Sequence, residues 1–97
     1  MRQETHRLRI PNGVGELIRK MHPHLKRKIK VSLRTILLSP NEGKALKDDL
    51  AGLRSFPVSK FRIIYRLRKH IIEIVAIGPR DRIYEETFLI LKRQNEK

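Results

Sequence analysis

The chain has 97 residues, 39% of them hydrophobic and 5% aromatic, with 23 Lys and Arg against 10 Asp and Glu for a net charge of +13. That is enough chain for one domain with a single modest core. There is no cysteine, which excludes a disulfide framework, a thiolate metal site and a cysteine nucleophile. The longest apolar run, Ile74 to Gly78, is far short of a membrane span, and Met1-Arg2-Gln3-Glu4 lacks the apolar segment of a secretion signal. The expectation is a small, soluble, cytoplasmic, strongly basic single domain over residues 1–97. Residues 1–39 hold ten Lys and Arg against two acids, a local +8, whereas the tail from Ile83 is neutral. Such an excess implies a polyanionic partner.

His6-Arg7-Leu8-Arg9-Ile10 alternates polar and apolar residues and predicts a short strand ending at Pro11-Asn12. Asn12 is placed to cap a helix whose apolar stripe is Val14, Leu17, Ile18 and Met21. His22-Pro23 breaks the chain, and Pro23 suits the first turn of a second helix. That helix carries Leu25, Ile29, Leu33, Ile36 and Leu37 on one side and Lys26, Arg27, Lys28, Lys30 and Arg34 mostly on the other, and it stops at Ser39-Pro40-Asn41. The pair reads as a helical hairpin. Residues 42–52 form a polar connection anchored by Leu46 and Leu50. From there the period becomes two. Leu53 to Val58 is a strand that Pro57 confines to an edge or a bulge. Phe61 to Leu67 is the next, with Phe61, Ile63, Tyr65 and Leu67 on one face and Arg62, Ile64 and Arg66 on the other. Lys69-His70 is the turn, and Ile71 to Gly78 is a β-branched third strand. A two-residue turn sets Arg66 opposite Glu73 and Arg62 opposite Ile77. Asp81 is placed to cap a short last helix with Tyr84, Phe88 and Leu91 on its stripe.

The order β-α-α-β-β-β-α predicts an α+β fold, a small antiparallel sheet with the N-terminal helical hairpin packed on one face and a short C-terminal helix. With the hairpin on the Phe61/Ile63/Tyr65 side, the other side is expected to show Arg62 and Arg66 to solvent or to a ligand. Arg80 and Arg82 follow the last strand, whose end lies beside the start of the preceding one. Arg62 and Arg80 are therefore expected to approach each other, with Arg54 joining from the third strand, Lys60 close by and Tyr84 just beyond. Guanidinium groups converging in this way suit a phosphodiester.

Metal-free RNA cleavage needs little more. The 2′-hydroxyl must lose its proton, the phosphorane charge must be held, and the 5′-oxygen must gain a proton. Arginines serve the second need, and a tyrosine or lysine set among cations is a usable proton-transfer group. Tyr84 is the hydroxyl in reach, since Tyr65 points into the core by the period-two count. No cofactor or metal site is expected: there is no glycine-rich phosphate loop, no HExxH and no dense carboxylate cluster, and His22 and His24 stand too close in a turn to share an ion. On spacing alone, an ordinary solvated surface is the better account of arginines on a strand and a tyrosine in a first helical turn.

Leu53-Arg54-Ser55 and Lys60-Phe61-Arg62-Ile63-Ile64-Tyr65-Arg66 resemble the YRLRxGDYRVIYRI hairpin of the RelE/ParE superfamily of type II toxin–antitoxin toxins. Ile77-Gly78-Pro79-Arg80-Asp81-Arg82-Ile83-Tyr84 is similar to that superfamily's IGHRRxVY ending, and Gly43-Lys44-Ala45-Leu46-Lys47 with Leu50, Gly52 and Leu53 to its GxKxLKG…L approach. The resemblance implies a RelE-like fold. In the ribosome-dependent mRNA interferases of the family it implies a cleft on the exposed sheet face that cuts mRNA with basic residues and a tyrosine. Arg62 matches the strand arginine, Arg80 the arginine after the last strand, Arg54 the first of two basic residues on the preceding strand, and Tyr84 the tyrosine of the closing motif. Phe56 and Pro79 stand where further basic residues are usual, and Glu86 where RelE proper has its acting tyrosine.

The function this implies is that of the toxin of a toxin–antitoxin pair, a ribosome-associated mRNA endonuclease that arrests translation. Lys26, Arg27, Lys30, Arg34, Lys60, Arg66 and Arg82 are then expected to hold phosphates of mRNA and ribosomal RNA. A cognate antitoxin is expected to cover the basic face or to pack along the sheet and helices. The alternative is a ParE-like inhibitor of DNA gyrase, which shares the hairpin without the full catalytic set. No membrane partner is expected, because the apolar stripe of helix 24–38 is needed for the core.

Overall fold

The computed structural model describes residues 6–95. In chain order the elements are strand β1 (Arg7–Arg9), helices α1 (Asn12–Arg19) and α2 (Pro23–Leu38), strands β2 (Lys44–Ala45), β3 (Arg54–Val58), β4 (Phe61–Arg68) and β5 (Ile71–Pro79), and helix α3 (Ile83–Asn95). Single 3₁₀ turns at Pro40–Glu42 and Asp48–Leu50 flank β2. The five strands form one sheet in the order β1-β5-β4-β3-β2. The architecture is the expected α+β arrangement, with two pairings that the sequence reading did not contain. Lys44–Ala45, within the stretch read as a connection, pairs antiparallel with β3, and the second is at the other edge. β1 lies parallel to β5, with Leu8 beside Ile72, so the sheet is mixed. Parallel pairing needs a long crossover, and the helical hairpin and the β2–β4 meander together supply it.

The period-two pattern of β4 builds two cores. On one side Ile63 and Tyr65 are fully buried against Ile18 of α1 and Ile29, Leu33 and Ile36 of α2. On the other, Ile64 is equally buried with Leu53, Ala76 and Ile83. The second core corrects the expectation of an open face. α3 runs for 13 residues and packs on that side against Leu53, Ile64 and Ala76. Its inward stripe is Ile83, Thr87, Ile90 and Leu91 with Tyr84 alongside, whereas Phe88, expected on the stripe, is 38% exposed. Thr87 is tolerated inside because its hydroxyl donates to the Ile83 carbonyl at 2.7 Å.

Helix ends also differ from the expected caps. α1 begins at Asn12 itself, with Pro11 before it and no side-chain cap, and α3 begins at Ile83, which leaves Asp81 one residue outside the capping position. Pro23 opens α2 as expected, with His22 Nδ1 accepting from the His24 backbone N–H at 3.1 Å. Pro57 is edge-lying, since β2 covers only Arg54 and Ser55 of β3.

A bulge in β5 sets the register where β4 begins. Ile64 pairs with Ala76 but Tyr65 pairs with Ile74, so Val75 is the extra residue. Below the bulge Arg66 faces Glu73, as the turn count requires; above it Arg62 faces Gly78 rather than Ile77. The shift has a packing reason. A Cβ on residue 78 would lie 2.9 Å from Ile83 Cδ1 and 3.5 Å from Glu86 Oε1, so any larger residue would have to displace the buried Ile83 side chain that seats the first turn of α3. Gly78→Ala is therefore expected to destabilise the fold by about 1–3 kcal/mol, read as a lower urea midpoint at unchanged slope. An unaltered midpoint would mean that α3 is not seated this tightly.

Candidate functional site

The candidate side chains sit where β4 begins and β5 ends. Arg62 is half-buried, and its guanidinium donates to the Phe61 carbonyl at 3.0 Å. The β4–β5 ladder continues one step past Pro79, with the Arg80 N–H donating to the Lys60 carbonyl at 2.9 Å. Arg80 thus lies two positions beyond Gly78, and Lys60 two before Arg62. Arg62, within the strand, shares the side of Ile64, which α3 packs on, while Lys60 and Arg80 stand in the turns just beyond the two strands. Lys60 and Arg80, with Pro79 and Asp81, line a cleft of about 380 Å³. Among the described residues no carboxylate lies within ion-pair distance of Lys60, Arg62 or Arg80; Arg82 only grazes Asp81 at 4.0 Å, both side chains being well exposed. These cations stay available to an anion from outside.

Tyr84 lies on the same side as Ile64 and Arg62. Its hydroxyl shares a 2.9 Å hydrogen bond with Ser55 Oγ, and Ser55 is buried opposite Ile64. Arg62 is the diagonal neighbour of Ser55 across the β3–β4 ladder, a separation of about 7–8 Å. Ser55 was not singled out in the sequence. The signal was its parity: it shares a side with Arg62, and it is the one hydroxyl on β3 that can reach the first turn of α3.

Arg54 is not brought to this group. It pairs with Tyr65, so its side chain leaves the sheet on the α2 side, where it donates to the Gly43 carbonyl and, at 3.3 Å, to that of Asn41. The expected convergence of three guanidinium groups is corrected to two guanidinium groups and one lysine. Ladder parity is the reason, because Arg54 pairs with Tyr65, which stands an odd three positions along β4 from Arg62. Lys26, Arg27, Lys30 and Arg34 also lie on the far side, on α2; Lys26 and Lys30 edge a groove of about 330 Å³ floored by Ile10, Ile18 and Leu33.

Arg66 is on the Arg62 side of β4 but is engaged. Its Nε lies 2.7 Å from Glu73 Oε1, and both side chains are about three-quarters buried, at 23% and 22% exposed. The hydrogen bond from Arg66, aided by the charges of Arg9 and Arg68, holds the Glu73 carboxyl below its ordinary 4.5, against an opposing effect of burial. A carboxylate with a depressed folded pKa stabilises the fold above the unfolded value, and that stabilisation is lost as pH falls through the folded pKa. Wild-type protein is therefore expected to be more stable than Glu73→Gln at pH 7. The gap should begin to close as pH drops below about 4.5, and parallel urea titrations from pH 7 to 3 would read it. A gap that stays constant would contradict the ion pair. Among the described residues no three His, Asp or Glu side chains gather as a metal-binding group, and no helix is long and apolar enough to cross a membrane.

The family profile described as the ParE toxin of the type II toxin–antitoxin system parDE matches residues 16–84. No curated protein matches the chain by sequence. Among solved structures, an arginine double mutant of the E. coli toxin RelE in the free state superposes with a TM-score of 0.74 at 17% identity, over 93% of this chain and 98% of that one. The RelBE2 toxin–antitoxin complex of Mycobacterium tuberculosis gives 0.69 at 19% identity, over 78% and 99%. The archaeal RelE–RelB complex of Pyrococcus horikoshii OT3 gives 0.66 at 19%, over 81% and 99%. At these identities the likeness is one of fold.

Proposed function

This chain belongs to the ParE toxin family of type II toxin–antitoxin systems, within the RelE/ParE superfamily, and from the cations at one end of its sheet we propose that it arrests translation by cutting mRNA on the ribosome. A toxin of this class has a cognate antitoxin as its partner. What supports the nuclease reading is that Lys60 and Arg80 line one cleft where β4 begins and β5 ends, with Arg62 two positions from Lys60 and none of the three paired to a carboxylate among the described residues, while Tyr84 is held by Ser55 of the neighbouring strand.

Arg62 and Arg80 would clamp the non-bridging oxygens of one phosphodiester and hold the extra charge of the phosphorane. The 2′-oxygen attacks phosphorus and gives up its proton, the bond to the 5′-oxygen breaks, and that oxygen takes a proton. The products are a 2′,3′-cyclic phosphate and a free 5′-hydroxyl. Tyr84, oriented by Ser55, and Lys60 are the proton-transfer groups in this reading. No cofactor is needed for this balance.

Two observations favour the second reading, inhibition of DNA gyrase through a protein surface. The matching profile is that of ParE, and Arg54 is committed to the Gly43 and Asn41 carbonyls. Primer extension on translating ribosomes separates the two. Cuts within mRNA support the nuclease; intact mRNA together with double-strand DNA damage in expressing cells supports gyrase.

A further inference from the structure

We propose that the β1–β5–β4 end of the sheet carries a second RNA-binding surface, a grid of Arg7, Arg9, Arg66 and Arg68 that takes the phosphate backbone of an RNA strand. The inference rests on the reading of this chain as RNA-directed, and it concerns a surface away from the cleft. The register makes the grid. Arg9, Glu73 and Arg66 stand in one row across β1, β5 and β4, and Arg7, Ile71 and Arg68 in the next. Leu8 turns into the core on the hairpin side, so Arg7 and Arg9 face the other way, with Arg66 and Glu73. Strands lie about 4.8 Å apart and the two rows about 7 Å apart, which spreads four guanidinium groups over a small rigid plane. Four cations against one acid leave +3. Arg7, Arg9 and Arg68 are exposed, and the register sets Glu73 between Arg9 and Arg66 in its row.

The chemistry of the grid selects its ligand. All four cations are arginines, whose planar forks grip phosphate oxygens in pairs. The surface is flat and holds a single exposed apolar side chain, Ile71, at 43%. An acidic peptide that folds on a surface needs a groove for apolar anchors, whereas a phosphate backbone brings none and needs only positioned cations. Arg66 stands four residues along β4 from Arg62, about 13 Å away, so the grid and the cleft would hold different phosphates. Glu73 then has a double role: it fixes the direction of Arg66 and subtracts one charge from the patch.

The test is binding of a mixed-sequence 2′-O-methyl oligoribonucleotide, which cannot be cut, followed by fluorescence anisotropy across a salt series. Arg7→Ala/Arg68→Ala removes two exposed arginines outside the Glu73 hydrogen bond and should leave thermal unfolding unchanged. It is expected to weaken binding and to flatten the slope of log K against log salt by about 1.4, two contacts at about 0.7 each on a single strand. Glu73→Gln is expected to tighten binding, a sign that a purely structural ion pair would not produce. An unchanged slope in the double variant would overturn the proposal, as would displacement of the oligonucleotide by poly-glutamate at equal charge concentration. Wild-type protein that cuts mRNA while the double variant keeps its slope would refute the grid alone. Protein that cuts nothing but shows the slope change would refute the nuclease reading alone.

Discussion

Alanine at Arg62 or at Arg80 is expected to slow ribosome-dependent mRNA cleavage by about 10²–10³-fold each, the cost of removing one preorganised donor from a developing oxyanion. Little of that loss should come from the fold. Arg62 donates only to the carbonyl of its neighbour Phe61, and Arg80 is exposed and held through its backbone N–H, which alanine keeps. Arg62→Lys restores the charge without the planar fork and should recover only part of the rate. Arg54→Ala is the opposite case. It removes the bonds to the Asn41 and Gly43 carbonyls and is expected to cost about 1–3 kcal/mol of stability, with the rate per folded molecule unchanged. Primer-extension time courses beside thermal unfolding of the same preparations read both quantities. Should Arg62→Ala cut at the wild-type rate, or Arg54→Ala lose rate while keeping its stability, the site has been assigned to the wrong side of the sheet.

That contrast shows where a sequence stops speaking. The alternation along Phe61 to Leu67 is legible because on the second face of β4 only Ile64 enters the core while Arg62 and Arg66 flank it, and the Arg66–Glu73 pair follows from a two-residue turn with no irregularity in between. The Val75 bulge left no mark, since Ile74, Val75, Ala76 and Ile77 all suit a buried strand and none announces itself as extra. One missed residue moved Arg62 from Ile77 to Gly78. The covering of the second face was legible in principle: Ile64, Ala76 and Leu53 share it, and three apolar residues on one side do not face water. Taking the last helix as short, with its stripe through Phe88, hid this, because the phase of α3 is set by Ile83 docking over Gly78 and not by its own most hydrophobic residue. The place of Arg54 needed only a count across Ser59-Lys60. The engagement of Tyr84 by Ser55 needed coordinates, for nothing in the spacing says how far α3 leans toward β3.

Tyr65→Phe and Gly43→Ala are expected to be strongly destabilising although neither removes an apolar side chain, and their effects should not add. The Tyr65 side chain is fully buried; its hydroxyl donates to the Pro40 carbonyl at 2.6 Å and accepts from the Gly43 N–H at 2.9 Å. With Arg54, it ties the segment leaving α2 to the middle of the sheet. Phenylalanine leaves both backbone groups without this partner in a buried setting, at about 1–3 kcal/mol for each group left unsatisfied, against a total stability of order 5–15 kcal/mol. Burial also pushes the Tyr65 phenol above its ordinary 10.0. The folded state therefore keeps this proton longer than the unfolded one, and wild-type protein loses stability above pH 10 in a way Tyr65→Phe does not. A Cβ at position 43 would lie 2.6 Å from the Tyr65 hydroxyl, 2.9 Å from Cε1 and 3.1 Å from the Ser55 carbonyl. A buried ring and a strand backbone have little room to give, so Gly43→Ala should cost about 1–3 kcal/mol or more. Phenylalanine at 65 removes the nearest of those atoms, so alanine at 43 costs less in that background. A double-mutant cycle by urea unfolding should give a coupling of at least about 1 kcal/mol. Additive costs would mean that the hydroxyl and the glycine do not meet, and that the segment after α2 is held by Arg54 alone.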